Sequence, residues 1–162
     1  FHFLDLGFLP YKIFKKQGIK IGVFGLGIEL AGLVDHKNYG DTVYQNPVEV
    51  GNKIASELKN EHHCDLVICL SHLGYKYKEN KVSDQVLAKS TRNIDLIIGG
   101  HTHTFLKEPE TILNLDGKAT TVNQVGFAGI NLGRLDFFFN RSSKKHNMVA
   151  SVCPVHAYDH LV

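Results

Sequence analysis

Three histidines stand directly after apolar runs of the sequence, and their type and spacing could support metal chemistry. His72 follows the run 65–71, and His101 and His103 follow the run 94–98 and two glycines. Imidazole nitrogen is a good ligand for zinc, manganese, iron or cobalt. In an extended segment residues two apart point to the same side, so we expect His101 and His103 to face one small volume. The pattern predicts a metal site, and by count alone the three histidines match a single zinc ion.

The elements that must position these histidines are two buried strands with a helix between them. The runs 65–71 and 94–98 are apolar on both faces, which is typical of central strands in a parallel sheet. Ser83 is a good N-cap for a short helix between the two runs. Open α/β sheets tend to build their sites at the carboxyl ends of their strands. We therefore expect His72 and His101 to meet at one edge of the sheet.

Further elements are predicted on both sides of this βαβ unit, and the C-terminal third is predicted to be mostly antiparallel β-structure. The further predicted elements are a hairpin over 11–26, a long loop over 27–46, a helix from Pro47 to about His62, a hairpin over 113–125, and strands over 130–139 and 148–155. No linker or internal repeat divides the chain. The fold class is therefore predicted to be mixed α/β (α+β), with one domain over residues 1–162.

Composition excludes several classes of function. The chain has 162 residues, 43% hydrophobic and 21% charged, and a formal charge of +2, which is too small to indicate binding to nucleic acid or an anionic membrane. No apolar run approaches the roughly 20 residues of a transmembrane helix. The three cysteines form no CxxC pair. The first residue is Phe1 rather than Met, so we expect a processed or partial product.

Other polar residues give weaker signals. Asp65 and Asp95 begin their strands, at the end away from the histidines, and we expect them to be solvated there. His62 and His63 end a helix, where a cation suits the helix dipole. His36 lies in the long loop and could border the site. The sequence contains no P-loop and no GxSxG motif, so no other chemistry competes with metal binding.

Two motifs resemble those of a known family. Ser71-His72-Leu73-Gly74 and Gly99-Gly100-His101-Thr102-His103-Thr104 resemble the last two metal motifs of the calcineurin-like metallophosphoesterases, in particular the bacterial 5′-nucleotidase and UDP-sugar hydrolase branch. The supporting stretches are Pro10-Tyr11-Lys12-Ile13, Asp65 to Gly74, and Val122-Asn123-Gln124-Val125-Gly126, within a resemblance from about Leu9 to Phe139. The resemblance implies a β-sandwich flanked by helices, of which this chain carries the later half.

The resemblance also implies a function. It makes His72 and His101 ligands of one divalent metal ion and His103 a ligand of a second, with Zn, Mn, Fe or Co as the candidate metals. Paired ions clamp a phosphate and activate a hydroxide for in-line attack. The implied reaction is the hydrolysis of phosphate monoesters of nucleotides, in nucleotide catabolism. Family members are often exported, which implies a periplasmic or exported location.

The family's earlier motifs are not found in this chain. They are an Asp-x-His, a Gly-Asp and a Gly-Asn-His-Asp/Glu, which supply the bridging aspartate, an asparagine ligand and the catalytic histidine. The nearest matches, Gly40-Asp41 and Gly51-Asn52, lie on the wrong side of the strand 19–26. We therefore expect the catalytic histidine and a nucleoside-selecting C-terminal domain to lie outside this chain, and the sequence does not identify the substrate-binding residues.

This partial set of motifs leaves alternatives open. An incomplete sheet is expected to expose an apolar strand edge, which could pair with the missing half or with another chain. The chain could be a non-catalytic metal-binding or interaction module that retains the later half of the fold. A phosphodiesterase or nuclease of the same superfamily is a third possibility.

Overall fold

A six-stranded mixed sheet organises the chain, and the computed structural model describes residues 9–140 and 142–155. Its elements are β1 (Tyr11–Lys16), β2 (Ile19–Leu26), α1 (Pro47–Ser56), β3 (Leu66–Ser71), α2 (Asp84–Ser90), β4 (Leu96–Ile98), β5 (Glu110–Leu113), β6 (Ala119–Asn123), β7 (Asn131–Phe139) and β8 (His146–Pro154). A 3₁₀ turn at His36–Asn38 lies in the long loop, and a π-helical turn at Glu57–Glu61 extends α1.

The strand order in the sheet is β1-β2-β3-β4-β6-β5. Strands β2, β3, β4 and β6 run parallel, and β1 and β5 pair antiparallel at the two edges. The predicted βαβ unit is confirmed, since β3 and β4 are parallel neighbours with α2 between them in the chain. Parallel pairing places the carboxyl ends of β2, β3, β4 and β6 along one edge of the sheet, which we call the histidine edge.

Both faces of the sheet are covered, which explains why its central strands are apolar throughout. On one face Val67 and Cys69 pack into a core that includes Leu58 from the π-helical turn and Leu87 from α2. The other face is separated from the β7–β8 hairpin by a cavity of about 480 Å³. Leu135, Phe137 and Phe139 alternate along β7 and line this cavity.

Local sequence signals account for the ends of several elements. Gln17 and Gly18 take φ angles of 51° and 79°, so both are in the left-handed region. Two such residues in succession form the turn that best matches the twist of the two strands in a hairpin. Asn46 caps α1 by accepting hydrogen bonds from Val48 N and Glu49 N, and Pro47 is the first residue of the helix. The predicted hairpin over 11–26 and the predicted start of α1 are both confirmed.

The edge strand β1 exposes both lysine and aromatic side chains. Edge strand β1 carries three lysines among its six residues, and lysine on an edge strand opposes pairing with another chain. The exposed apolar side chains of the central strands lie on the cavity face instead, at Leu70 and Ile98 near the histidine edge. The exposed positions of β1 include Phe14 as well as the three lysines, so the expectation of an apolar strand edge stays a prediction.

The expectation that Asp65 and Asp95 are solvated at their strand starts is wrong. Asp95 accepts a hydrogen bond from Val67 N at 2.6 Å and forms an ion pair with Lys59 Nζ at 2.7 Å. Asp65 accepts a hydrogen bond from the backbone N of Lys20 at 2.8 Å. Both carboxylates thus connect the beginning of one strand to a neighbouring strand or helix.

Within the described residues, no helix is long and apolar enough to cross a membrane.

Candidate metal centre

His72 and His101 meet at the histidine edge. His72 follows β3 and His101 follows β4 after two glycines, and their ring centroids lie 5.2 Å apart at an interplanar angle of 70°. A Cβ at Gly100 would come within 3.1 Å of His72 Nδ1, so the absence of a side chain there gives the imidazole room. The two residues therefore lie together as the parallel strand ends predict.

His103 packs against an aromatic side chain. Its ring stacks on Phe127, with centroids 4.6 Å apart and an interplanar angle of 16°, and Phe127 in turn contacts Phe105 edge-on. Across residues 9–140 and 142–155, no three His, Cys, Asp or Glu side chains come close enough to hold one ion. His101 and His103 therefore do not lie on one side of an extended segment as expected, and their approach to one small volume stays a prediction.

The physical reason is the backbone conformation of the segment. His101 and His103 take φ angles of 67° and 53°, so the segment is not extended and the alternation of side chains does not apply. Residues other than glycine rarely occupy this left-handed region, and those that do tend to cluster at functional sites. The histidine segment is therefore held in its shape by the surrounding structure.

A buried amide provides much of that support. Gln124, which follows β6, is 2% exposed, and its Oε1 accepts hydrogen bonds from Thr104 N at 2.5 Å and from Thr102 Oγ1 at 3.1 Å. Its Nε2 donates to the carbonyl oxygen of Gly100. The backbone on both sides of His101 is thus bonded to one side chain.

A buried carboxyl group lies beneath the same edge. Asp84, the first residue of α2, is fully buried, and its Oδ1 accepts a hydrogen bond from Ser71 Oγ at 2.5 Å. Its Oδ2 is directed toward Gly99 and has no hydrogen-bond partner within the described part of the chain. Burial raises the pKa of Asp84 to about 6, although the hydrogen bond from Ser71 lowers it.

The charge state of His101 is also affected by its surroundings. Partial burial lowers its pKa, and the electrostatic effects of His72, Lys81 and His103 lower it further. A lowered pKa favours the neutral imidazole, which is the form that binds metal ions. The site therefore keeps His101 in its ligating form around neutral pH.

The chain is similar in sequence to known nucleotide phosphoesterases, although no protein-family model matches it. It is 31% identical over 155 residues to the trifunctional nucleotide phosphoesterase protein YfkN of Bacillus subtilis, over 93% of this chain and 10% of YfkN. It is 36% identical over 102 residues to a 5′-nucleotidase of Vibrio cholerae, over 59% of this chain and 18% of that protein. The chain thus spans a tenth to a fifth of the length of these relatives.

The fold agrees with solved structures of the same group. A 5′-nucleotidase precursor from Thermus thermophilus superposes with a TM-score of 0.76 and 25% identity, over 90% of this chain and 29% of that one. The crystal structure of YfkN, described as a calcineurin-like phosphoesterase, superposes with a TM-score of 0.67 and 23% identity, over 90% of this chain and 50% of that one. Over 90% or more of its own length, the chain is thus similar in sequence to a nucleotide phosphoesterase and in fold to a 5′-nucleotidase. This confirms the predicted family and fold class.

Calcineurin-like phosphoesterases generally use divalent metal ions. The sequence identified three residues of the histidine edge, but it did not identify Asp84, Gln124 or Phe127 as parts of its surroundings. A signal for Gln124 was present, because it directly follows the strand β6 just as His72 directly follows β3. Nothing comparable in the local sequence pointed to Asp84 or Phe127, whose neighbours at the edge are distant in the chain.

Proposed function

We propose that this chain forms one wall of a two-metal phosphoesterase centre, with His72 and His101 as ligands of one divalent ion and His103 as a ligand of the second. The observation that carries this proposal is the 5.2 Å separation of the His72 and His101 rings. Two imidazoles that bind one tetrahedral ion through metal–nitrogen bonds of about 2.0–2.1 Å have ring centres roughly 5 Å apart. The donor set therefore fits a shared ion without movement of the strands.

The position of His103 supports its assignment to a different ion. Its ring is stacked on Phe127, whereas the rings of His72 and His101 pair with each other. A planar contact of this kind fixes the plane of the imidazole while leaving its nitrogens free to bind. The stacking therefore suits a ligand that faces a neighbouring ion.

The side chains of the site have two proposed roles, binding of metal ions and attraction of an anionic phosphate. A pair of divalent ions, when bound, polarises a phosphoryl group and lowers the pKa of a water molecule. His101, held neutral by its surroundings, offers a nitrogen lone pair at the pH of the reaction. The Lys81 ammonium, close enough to lower the pKa of His101, adds positive charge that attracts an anionic phosphate.

The proposed substrates are phosphate monoesters of nucleotides. The activities named for the relatives support this class, since YfkN is a nucleotide phosphoesterase and the V. cholerae relative is a 5′-nucleotidase.

We also propose zinc, manganese, iron or cobalt as the metal, because all four accept imidazole nitrogen. The T. thermophilus neighbour is described as a precursor, which supports the proposal that this protein is exported.

Metal binding tests this proposal directly. We expect isothermal titration calorimetry with Mn²⁺ or Zn²⁺ to detect binding to the chain, and we expect His72→Ala and His101→Ala each to weaken the affinity by about tenfold or more, because each removes one of two donors to the same ion. The exposed loop residue His36 provides a matched control as His36→Ala, which should leave the affinity unchanged.

The proposed pairing of ligands also has a specific signature. If His72 and His101 share an ion, the two substitutions are not independent. The affinity of the double variant for the metal ion should then be about the same as that of the weaker-binding single variant. Equal binding by the wild type, His72→Ala and His101→Ala would show that these histidines are not ligands.

A further inference from the structure

Gln124 is the side chain that connects the backbone segments of the histidine edge. It follows β6, the neighbour of β4 in the sheet, and it is almost fully buried. Its one amide makes three hydrogen bonds, two accepted from Thr104 N and Thr102 Oγ1 and one donated to the Gly100 carbonyl oxygen. All three partners lie within the short segment that carries His101 and His103.

These hydrogen bonds hold a segment that would not keep its shape alone. His101 and His103 both occupy the left-handed region of φ, which is unfavourable for residues with a Cβ. The partners of Gln124 lie on both sides of His101, at Gly100 and at Thr104. The amide therefore opposes relaxation of this segment toward an extended conformation.

The same network reaches the loop that follows His72. Thr102 Oγ1, which donates to Gln124, also accepts a hydrogen bond from Tyr75 N at 2.9 Å. Thr102 and Thr104 are themselves connected through their hydroxyl groups, 3.0 Å apart. One buried amide is thus connected to the loops that carry all three candidate ligands.

We propose that Gln124 is a positioning residue that sets the separation of the His72 and His101 imidazoles. It acts through the backbone of Gly100 and Thr104 and, by way of Thr102, through the loop at Tyr75. The proposal rests on the proposed function, since the separation matters because the two rings share an ion. Residues that orient metal ligands in this way typically change metal affinity by 10–100-fold when replaced.

A merely structural role for Gln124 is the competing explanation, because buried amides generally need hydrogen-bond partners. Asn114 provides the matched control. It is also a buried amide, and its Oδ1 accepts hydrogen bonds from Asp116 N at 2.9 Å and Lys118 N at 3.1 Å. It lies in the β5–β6 turn, at the end of β6 opposite to the histidine edge.

The test compares Gln124→Leu with Asn114→Leu in the full chain. Both replace a buried amide with an apolar side chain, and both are expected to lower the melting temperature. We expect Gln124→Leu to weaken Mn²⁺ or Zn²⁺ binding by 10-fold or more, as measured by calorimetry. Asn114→Leu should change the affinity by less than about threefold, because it leaves the histidine edge intact.

A second measurement needs no metal ion. In the metal-free chain, nuclear Overhauser effects between the imidazole protons of His72 and His101 report the separation of the two rings. We expect these signals to be lost in Gln124→Leu and retained in Asn114→Leu. If they persist in Gln124→Leu, the positioning role is wrong even where the melting temperature falls.

A conservative variant covers the case in which Gln124→Leu does not fold. Gln124→Glu keeps an oxygen acceptor for Thr104 N and Thr102 Oγ1 but cannot donate to the Gly100 carbonyl while it is ionised. We expect it to show a partial loss of the ring-to-ring signals, and wild-type signals would overturn the proposal. A wild-type chain that binds no metal would contradict the proposed function, and the ring-to-ring signals would still decide the role of Gln124.

Discussion

Asp84 shows most clearly how one buried group affects the chain around it. The carboxyl group is fully buried, one oxygen is bonded to Ser71, and the other has no partner within the described residues. An ionised carboxylate is poorly stabilised in such a place, which is why burial raises its pKa to about 6. The folded state therefore holds a proton more tightly than the unfolded state does.

The pH dependence of stability follows from this difference. Because the folded pKa of Asp84 lies above its ordinary value of 3.8, the folded chain binds more protons than the unfolded chain between those values. Asp84 should therefore reduce the free energy of unfolding as the pH rises from about 4 to about 6, by at most about 3 kcal/mol. Asp84→Asn removes this titration, so the variant should gain stability relative to the wild type across the same range.

Urea unfolding of both proteins at pH 4, 5, 6 and 7 measures this difference. The neighbouring Cys69 and Tyr77 keep their protons throughout, since the pKa of each is raised by burial and by Asp84. Ser71 can still donate to the amide oxygen of the variant. A difference in stability that stays constant with pH would show that Asp84 keeps an ordinary pKa in the folded chain.

The residues of the site were predictable from sequence only in part. His72 and His101 follow apolar runs, and parallel strand ends meet, so their approach could be inferred from a local pattern. Gln124 and Asp84 could not, because their partners are distant in the chain and depend on how the strands are ordered. The shape of the segment from His101 to His103 was predicted wrongly, since alternation holds only in extended backbone.

At the scale of elements, strand β2 shows how closely the sheet approaches the helical layer. A Cβ at Gly22 would lie 2.9 Å from both methyl groups of the fully buried Leu58 and 3.2 Å from Cys64 Sγ. At Gly25, three residues further along the same strand, the nearest atom would be the Leu70 carbonyl oxygen at 3.8 Å. The two glycines therefore differ in packing although they share one strand.

Replacing each glycine by alanine should separate these effects. Gly22→Ala overpacks the core at Leu58 and should lower the free energy of unfolding by about 1–3 kcal/mol. Gly25→Ala should be neutral or stabilising by up to about 1 kcal/mol, since alanine reduces the entropy of the unfolded chain. Denaturant unfolding of both variants checks this, and equal effects at the two positions would contradict the packing argument.

Elements were more predictable from sequence than their order in the sheet. The caps at Asn46 and Ser83 and the left-handed turn at Gln17 are local signals, and the elements they delimit agree with the structure. The hairpin of β5 and β6 was also predicted from its Asp116-Gly117 turn. The pairing of β6 with β4 was not predicted, because no periodic pattern within either strand indicates which distant strand it pairs with.

At the scale of the whole molecule, no carboxylate among the described residues joins the histidines in a metal-binding cluster. Within the described ranges no group of three His, Cys, Asp or Glu side chains could hold an ion, and two ions about 3.5–4 Å apart repel unless anionic ligands lie between them. We therefore expect the isolated chain to hydrolyse AMP no faster than the metal ion alone. Phosphate release in the presence of Mn²⁺ or Zn²⁺ measures this.

The same assay distinguishes the remaining interpretations of the chain. Bound metal in elemental analysis, without turnover of AMP, would favour a non-catalytic metal-binding module. We propose that residues 1–162 form one domain in either case. Hydrolysis of bis(p-nitrophenyl) phosphate in preference to AMP would favour a phosphodiesterase or nuclease. Robust turnover of AMP would show that the residues of this chain complete a working centre by themselves.

The position of β6 beside β4 has a consequence for how the chain folds. Parallel neighbours are joined by long crossovers, and contacts between distant segments form slowly because loop closure must come first. The β1–β2 hairpin needs only a two-residue turn and can form early. Gln124 reaches the histidine segment only after β6 has docked on β4. We therefore expect the histidine edge to take its final shape in a late step of folding.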